Sequence, residues 1–173
     1  MHLTKRLLCA LPLVLATLAP GAALADPTAI YLVRHGEKEA TGKDPELTVQ
    51  GQARAQNIAT ILHNTGIRSI FSTPTMRTRQ TAQPLATRSG VEVQAYDPKV
   101  PAALVEKVKS LNGAVLVVGH SNTLPELVRL FGGVAGADIA DNEYDRLYQL
   151  IVGANGAITT VLLTSVPATG ATP

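Results

Sequence analysis

Short apolar runs alternate with helical stripes along the chain from residue 29. Ala29 to Val33 is continuously apolar and β-rich and stops at the polar cluster Arg34-His35-Gly36-Glu37, the pattern of a buried strand delivering its C-terminal end to a loop. Thr48 is placed to cap a helix running to Asn64, in which Ala55, Ile58, Ala59 and Leu62 keep the spacing of a core face, and Gly66 ends it. Ser69 to Ser72 predicts a second strand. It leads into a helix beginning near Pro74 with Ala82, Leu85 and Ala86 on one side, and Pro84 predicts a kink or an early end to that helix. Val91 to Ala95 alternates as a strand exposed on one face does, and Pro101 opens a helix striped by Leu104, Val105, Val108 and Leu111. Ala114 to Val118 suits a central strand covered on both faces and ends at Gly119-His120-Ser121-Asn122. Pro125 lies in the first turn of the next helix, whose Leu124, Leu127, Val128 and Phe131 face the core. Leu147 to Val152 and Ile158 to Leu163, joined around Asn155-Gly156, predict a closing hairpin.

This alternation predicts one α/β domain, a three-layer α/β/α sandwich with a largely parallel central sheet and an antiparallel edge. Such sheets bind ligands outside the carboxyl ends of their strands. Composition narrows the choice further. The chain has 173 residues, 46% hydrophobic and 16% charged, which is too apolar for disorder, and its single Cys9 excludes a disulfide scaffold. The absence of tryptophan and the 3% aromatic content argue weakly against a base-stacking surface for nucleic acid. Lys5 and Arg6 precede the apolar run Leu7 to Ala19, followed by Pro20, Gly21 and Ala23-Leu24-Ala25, the layout of a secretory signal peptide over residues 1–25 cleaved before Asp26. At 13 residues that run is shorter than the roughly 18 to 20 needed to cross a bilayer, so no stable membrane anchor is expected after cleavage. The expected product is a periplasmic or secreted domain, residues 26–164, with a C-terminal tail over 165–173. Without Lys5 and Arg6, 13 basic and 13 acidic side chains remain, which gives no reason for a polyanion partner.

His35 and His120 each follow directly on a predicted buried strand, and a parallel sheet would bring both to one edge. His63, at a helix end, fits a surface or capping role. Arg34 adjoins His35, and Arg77 falls in the first turn of the helix after the second strand. Two guanidiniums converging on two imidazoles make an anion pocket, to which Ser121 and Asn122, opening the next helix, could add backbone N–H groups. A neutral imidazole is a nucleophile near pH 7, and phosphoryl transfer needs a nucleophile with compensation for the charge on the equatorial oxygens. No carboxylate is spaced with the histidines as a metal ligand, so metal-dependent hydrolysis is a minor alternative.

These residues resemble the histidine phosphatase superfamily, the phosphoglycerate-mutase-like proteins, over about Ala29 to Leu163. Leu32-Val33-Arg34-His35-Gly36-Glu37 resembles the family's arginine-histidine-glycine signature, and Leu47-Thr48-Val49-Gln50-Gly51-Gln52-Ala53 a shortened form of its helix-start block. The segment from Phe71 through Arg77 to Gln80-Thr81-Ala82 is similar to its arginine block, and Val118-Gly119-His120-Ser121-Asn122 to its second-histidine block. The resemblance implies the expected fold, no metal or organic cofactor, and a small phosphorylated substrate or phosphohistidine as partner. It also implies that His35 becomes a phosphohistidine while Arg34, Arg77 and His120 bind the phosphoryl group. Thr41 stands where many members have a phosphate-binding asparagine. Asp97 is the nearest counterpart of the family's general acid and equally suits a turn before Pro98, with Glu37, Asp44 and Glu126 also within reach. The export signal and short chain point to a phosphatase of phosphomonoesters or phosphoramidates rather than a glycolytic mutase. The alternative is a phosphate- or phosphosugar-binding module that keeps the anion pocket without turnover.

Overall fold

The computed structural model describes residues 27–167; the export segment and most of the tail expected from the sequence lie outside the described residues. Strand and helix alternate as β1 (Pro27–Arg34), α1 (Val49–Leu62), β2 (Ile67–Ser72), α2 (Met76–Ser89), β3 (Val93–Ala95), α3 (Pro101–Lys109), β4 (Gly113–Gly119) and α4 (Leu124–Leu130), followed by the hairpin β5 (Arg146–Val152) and β6 (Ile158–Thr164). The sheet order is β3-β2-β4-β1-β5-β6. The first four of these strands run parallel, and the antiparallel edge is the two-stranded β5–β6 hairpin.

The central strands are apolar throughout because both their faces are covered. Ile30, Leu32, Val115 and Val117 pack in one layer with Leu104, Val108, Leu124 and Leu127 of α3 and α4. Their neighbours Tyr31, Val33, Leu116 and Val118 point the other way, onto Ile58, Leu62, Ala82 and Leu85 of α1 and α2. That is the period of two of a strand buried on both sides, and it builds the three layers.

Two helices differ from expectation. α2 runs unbroken through Pro84 to Ser89. A proline inside a helix costs about 3 kcal/mol, but Ala82, Leu85 and Ala86 are buried against the sheet on either side of it, and that packing holds the helix together. α2 also starts at Met76 rather than near Pro74, and the Met76 amide donates to both carboxylate oxygens of Asp44 at 3.1 and 3.0 Å. α4 begins at Leu124, so Ser121 and Asn122 sit in the turn before it. The amides of Thr123 and Leu124 close that turn on the His120 carbonyl.

Two glycines of the motif segments exist for close approach. A Cβ on Gly36 would lie 2.7 Å from the Gly51 carbonyl oxygen, and one on Gly51 would lie 2.1 Å from that of Glu37. The loop after β1 therefore presses backbone to backbone on the first turn of α1, whose cap Thr48 accepts from the Gly51 amide.

Candidate active site

The register of β1 on β4 pairs Arg34 with Gly119, so the next residue of each strand, His35 and His120, leaves the sheet side by side. The His35 amide continues the pairing by donating to the Gly119 carbonyl at 3.0 Å. The two imidazoles meet edge to face, their centroids 5.3 Å apart. Loop and helix are tied here: the Gly36 amide donates to Thr81 Oγ1 at 2.9 Å, and that hydroxyl donates to the Arg77 carbonyl at 2.7 Å.

His35 Nδ1 lies 2.7 Å from the Gly36 carbonyl oxygen. A carbonyl only accepts, so Nδ1 carries the proton and the lone pair of the neutral ring sits on Nε2. Burial, the largest effect, with the charges of Arg34 and Arg77 and the neighbouring His120, holds His35 down at about 3 against the Gly36 hydrogen bond. Burial and the two arginines likewise lower His120 to about 4, partly countered by Asp44. His120 Nε2 is 2.9 Å from Thr73 Oγ1, which fixes its ring plane.

Both arginines are anchored from outside and left open within. Arg34 shares Nη1 among the carbonyls of Ala140, Asp141 and Glu143 at 2.9, 3.0 and 2.8 Å, with the Tyr144 ring 4.0 Å over its guanidinium carbon. Arg77 Nη1 reaches Asp44 at 3.4 Å. The Nε of each is buried with no hydrogen-bond partner. Two buried, unsatisfied cationic donors flanking a pair of neutral imidazoles form a preformed oxyanion site.

Arg34, His35, Arg77 and His120 thus come together as expected. Asp97 does not join them: it is exposed after β3, two strands or about 10 Å from the line of β4, and accepts from the Lys99 amide at 2.9 Å as a turn residue. Thr41 is exposed in the loop before α1 and makes no hydrogen bond to the histidines or arginines. Ser121 and Asn122 line a cleft with Pro125, Glu126 and Arg129, next in the chain to His120 but short of the helix start. Glu37 is held by Arg54 instead of facing the pocket. His63 caps α1, its Nδ1 2.8 Å from the Thr60 carbonyl. The sequence pattern does not mark Tyr144 or the carbonyls of Ala140, Asp141 and Glu143, whereas Thr73 and Thr81 both lie within the arginine block from Phe71 to Ala82.

A family model described as "Histidine phosphatase superfamily (branch 1)" matches residues 30–98, which hold Arg34, His35 and Arg77. His120 lies beyond the matched segment, and β4 carries it to the same pocket. Over residues 30–98 the chain is similar to the histidine phosphatase superfamily. Among its relatives is the probable phosphoglycerate mutase GpmB of Escherichia coli, 32% identical over 104 residues covering 56% of this chain and 44% of that protein. The chain spans less than half the length of the curated relatives it matches. Among solved structures, a mycobacterial glucosyl-3-phosphoglycerate phosphatase superposes with a TM-score of 0.57 at 15% identity, covering 79% of this chain and 97% of that one. A phosphoserine phosphatase of Entamoeba histolytica, solved with 3-phosphoglyceric acid, gives 0.57 at 17% identity over 79% of this chain and 95% of that one. At such identities these likenesses speak for the fold alone.

The buried histidines make its stability acid-sensitive. In the unfolded chain each imidazole titrates near the ordinary 6.5, whereas in the fold they stay neutral to about 3 and about 4. Between those limits the unfolded state binds more protons, so stability falls as pH drops below about 6.5. Near pH 5 the pair should contribute a slope of up to about 2.7 kcal/mol per pH unit, about 1.4 from each. Urea unfolding at pH 5, 6 and 7 should show this slope in the wild type and lose most of it in His35→Gln/His120→Gln; an unchanged slope in the double variant would contradict it.

Proposed function

We propose that the protein is a metal-independent phosphatase that transfers a phosphoryl group from a phosphomonoester or phosphoramidate to His35 and then to water. The bare Nε2 of His35, fixed by the Nδ1–H bond to the Gly36 carbonyl between two unsatisfied arginine donors, is the observation that carries this reading. In the first step Nε2 forms a bond to phosphorus as the bond to the leaving group breaks, and the leaving group departs with its electron pair. In the second, water attacks the phosphorus, the N–P bond breaks, and His35 recovers its lone pair as phosphate and a proton are released. Arg34 and Arg77 offset the charge on the equatorial oxygens in both steps.

Asp97 is turned to the Lys99 amide and Asp44 is engaged by Met76 and Arg77, so neither of these two carboxyls is free to protonate a leaving group. Leaving groups that need no proton from the protein are favoured, above all a nitrogen that is already protonated, as in phosphoramidate. The pattern of residues 1–25 supports action outside the cytoplasm. The test is hydrolysis of phosphoramidate, an aryl phosphate and an alkyl phosphate, in chelator, by protein recovered from the exported fraction. Turnover in the order phosphoramidate, aryl, alkyl, by a chain beginning at Asp26, is expected. Phosphate binding without turnover of any of the three would favour the binding-module reading, activity abolished by chelator would exclude the metal-independent route, and an uncut chain confined to the cytoplasm would exclude export.

A further inference from the structure

The segment 137–144, between α4 and β5, has no regular secondary structure and is nevertheless tightly built. Arg146, at the start of β5, forms a two-pronged ion pair with Glu143, and its Nη2 lies 2.8 Å from Glu143 Oε2. The same guanidinium donates to the Ala137 carbonyl at 2.6 Å, to that of Asp138 at 3.3 Å and to Tyr148 Oη at 3.0 Å. Glu143 in turn accepts from the Ala140 amide at 3.3 Å, and the Glu143 amide donates back to the Ala140 carbonyl at 3.0 Å. Tyr148, fully buried, donates to the Ala135 carbonyl at 2.7 Å and anchors the brace in the core.

All of this bonding converges on Arg34. The three carbonyls that hold its Nη1 belong to this segment, and the ring lying on its guanidinium is the segment's last residue, Tyr144, whose centroid is also 6.0 Å from that of His35. A guanidinium has five donors in a rigid plane. Spending one nitrogen on three carbonyls and covering one face with an aromatic ring leaves a single edge free, the edge that carries the buried, unpartnered Nε. Long cationic side chains otherwise lose rotamer entropy when they bind an anion, and here that ordering is already complete in the free protein.

Resting on the phosphoryl-transfer reading of the site, we propose that residues 137–144 are a preformed cradle for Arg34. Tyr144 and the Arg146–Glu143 pair are positioning residues that set phosphate affinity through that arginine without touching the phosphate.

The test is a set of double-mutant cycles on the whole protein. Dissociation constants for orthophosphate and for vanadate, with kcat and KM, are measured for Tyr144→Ala, Tyr144→Phe and Arg146→Gln, each in the wild-type and in the Arg34→Ala background. Tyr144→Ala and Arg146→Gln should each weaken anion binding about 10-fold in the wild type and less than about 2-fold once Arg34 is gone, because residues acting through one partner are not additive. Tyr144→Phe, which keeps the ring face, should bind more tightly than Tyr144→Ala. Equal losses in both backgrounds, or a Tyr144→Phe as weak as Tyr144→Ala, would overturn the cradle. Should Arg146→Gln fail to fold, the Tyr144 cycles decide alone. Anion binding separates the two proposals: coupled binding without turnover leaves the cradle standing and removes the hydrolase, whereas turnover with additive effects removes only the cradle.

Discussion

His35→Asn should abolish turnover, by a factor on the order of 10⁴ or more in kcat, while orthophosphate and vanadate still bind. Asparagine can place an amide N–H where Nδ1–H sits and so keep the bond to the Gly36 carbonyl, but it offers no basic nitrogen toward the anion. His120 cannot substitute, because its Nε2 is engaged by Thr73. The loss therefore falls on the chemical step and leaves the arginine pocket intact. Acid-labile, base-stable phosphate on the quenched wild-type protein should be absent from His35→Asn. His120→Asn keeps the bare Nε2 and should still be labelled, more slowly. The acid limb of the wild type follows from the same geometry. Free-enzyme His35 is held at about 3, so kcat/KM should stay level from pH 7 to 5 with respect to this group and fall only as pH approaches about 3. Comparable turnover by His35→Asn, or an acid limb centred near an ordinary 6.5, would refute the assignment.

What could be read from sequence divides along physical lines. A strand buried on both faces must be apolar at every position, so Ala29 to Val33 and Ala114 to Val118 announce themselves as neighbours in a parallel sheet. The polar residue following each then has one place to go. That is why His35, Arg34 and His120 were legible as one site, and why Arg77, one turn into the helix after β2, fell in with them. Pro84 signals a break because local backbone preference carries no trace of the burial of Leu85 and Ala86 around it. Asp97, which the resemblance offers as the general acid and which equally suits a turn before Pro98, follows β3 at the sheet edge, beyond β2, and is the turn residue. The turn 140–143 was illegible for a different reason. It acts through backbone carbonyls, which every residue has, so nothing in Ala140, Asp141 or Glu143 marks it out. Tyr144 and Arg146 are the only chemical traces it leaves.

The largest stability effect should come from Glu37→Gln. Arg54, on α1, is fully buried and pairs through Nη2 and Nε with the Glu37 carboxylate at 2.6 and 3.0 Å, while its Nη1 donates to Ser165 Oγ at 2.9 Å. Glu37 is two residues from the nucleophile, and its carbonyl accepts from the Thr48 amide at 2.9 Å, so the pair clamps the loop after β1 onto α1 and onto the residue following β6. Replacing the carboxylate by an amide strands a charged guanidinium in the core, at a cost of about 3 to 5 kcal/mol out of the 5 to 15 typical of a whole domain. Arg54→Met should cost less, because methionine fills part of the space and the Glu37 side chain, 13% exposed, can turn to water. The double variant should be more stable than Glu37→Gln alone, since no unpaired charge stays buried. Urea midpoints on the three proteins check the ordering. Glu37→Gln within about 1 kcal/mol of wild type would mean that water or the Ser165 hydroxyl already satisfies Arg54, and that the clamp is not what holds His35 in register with His120.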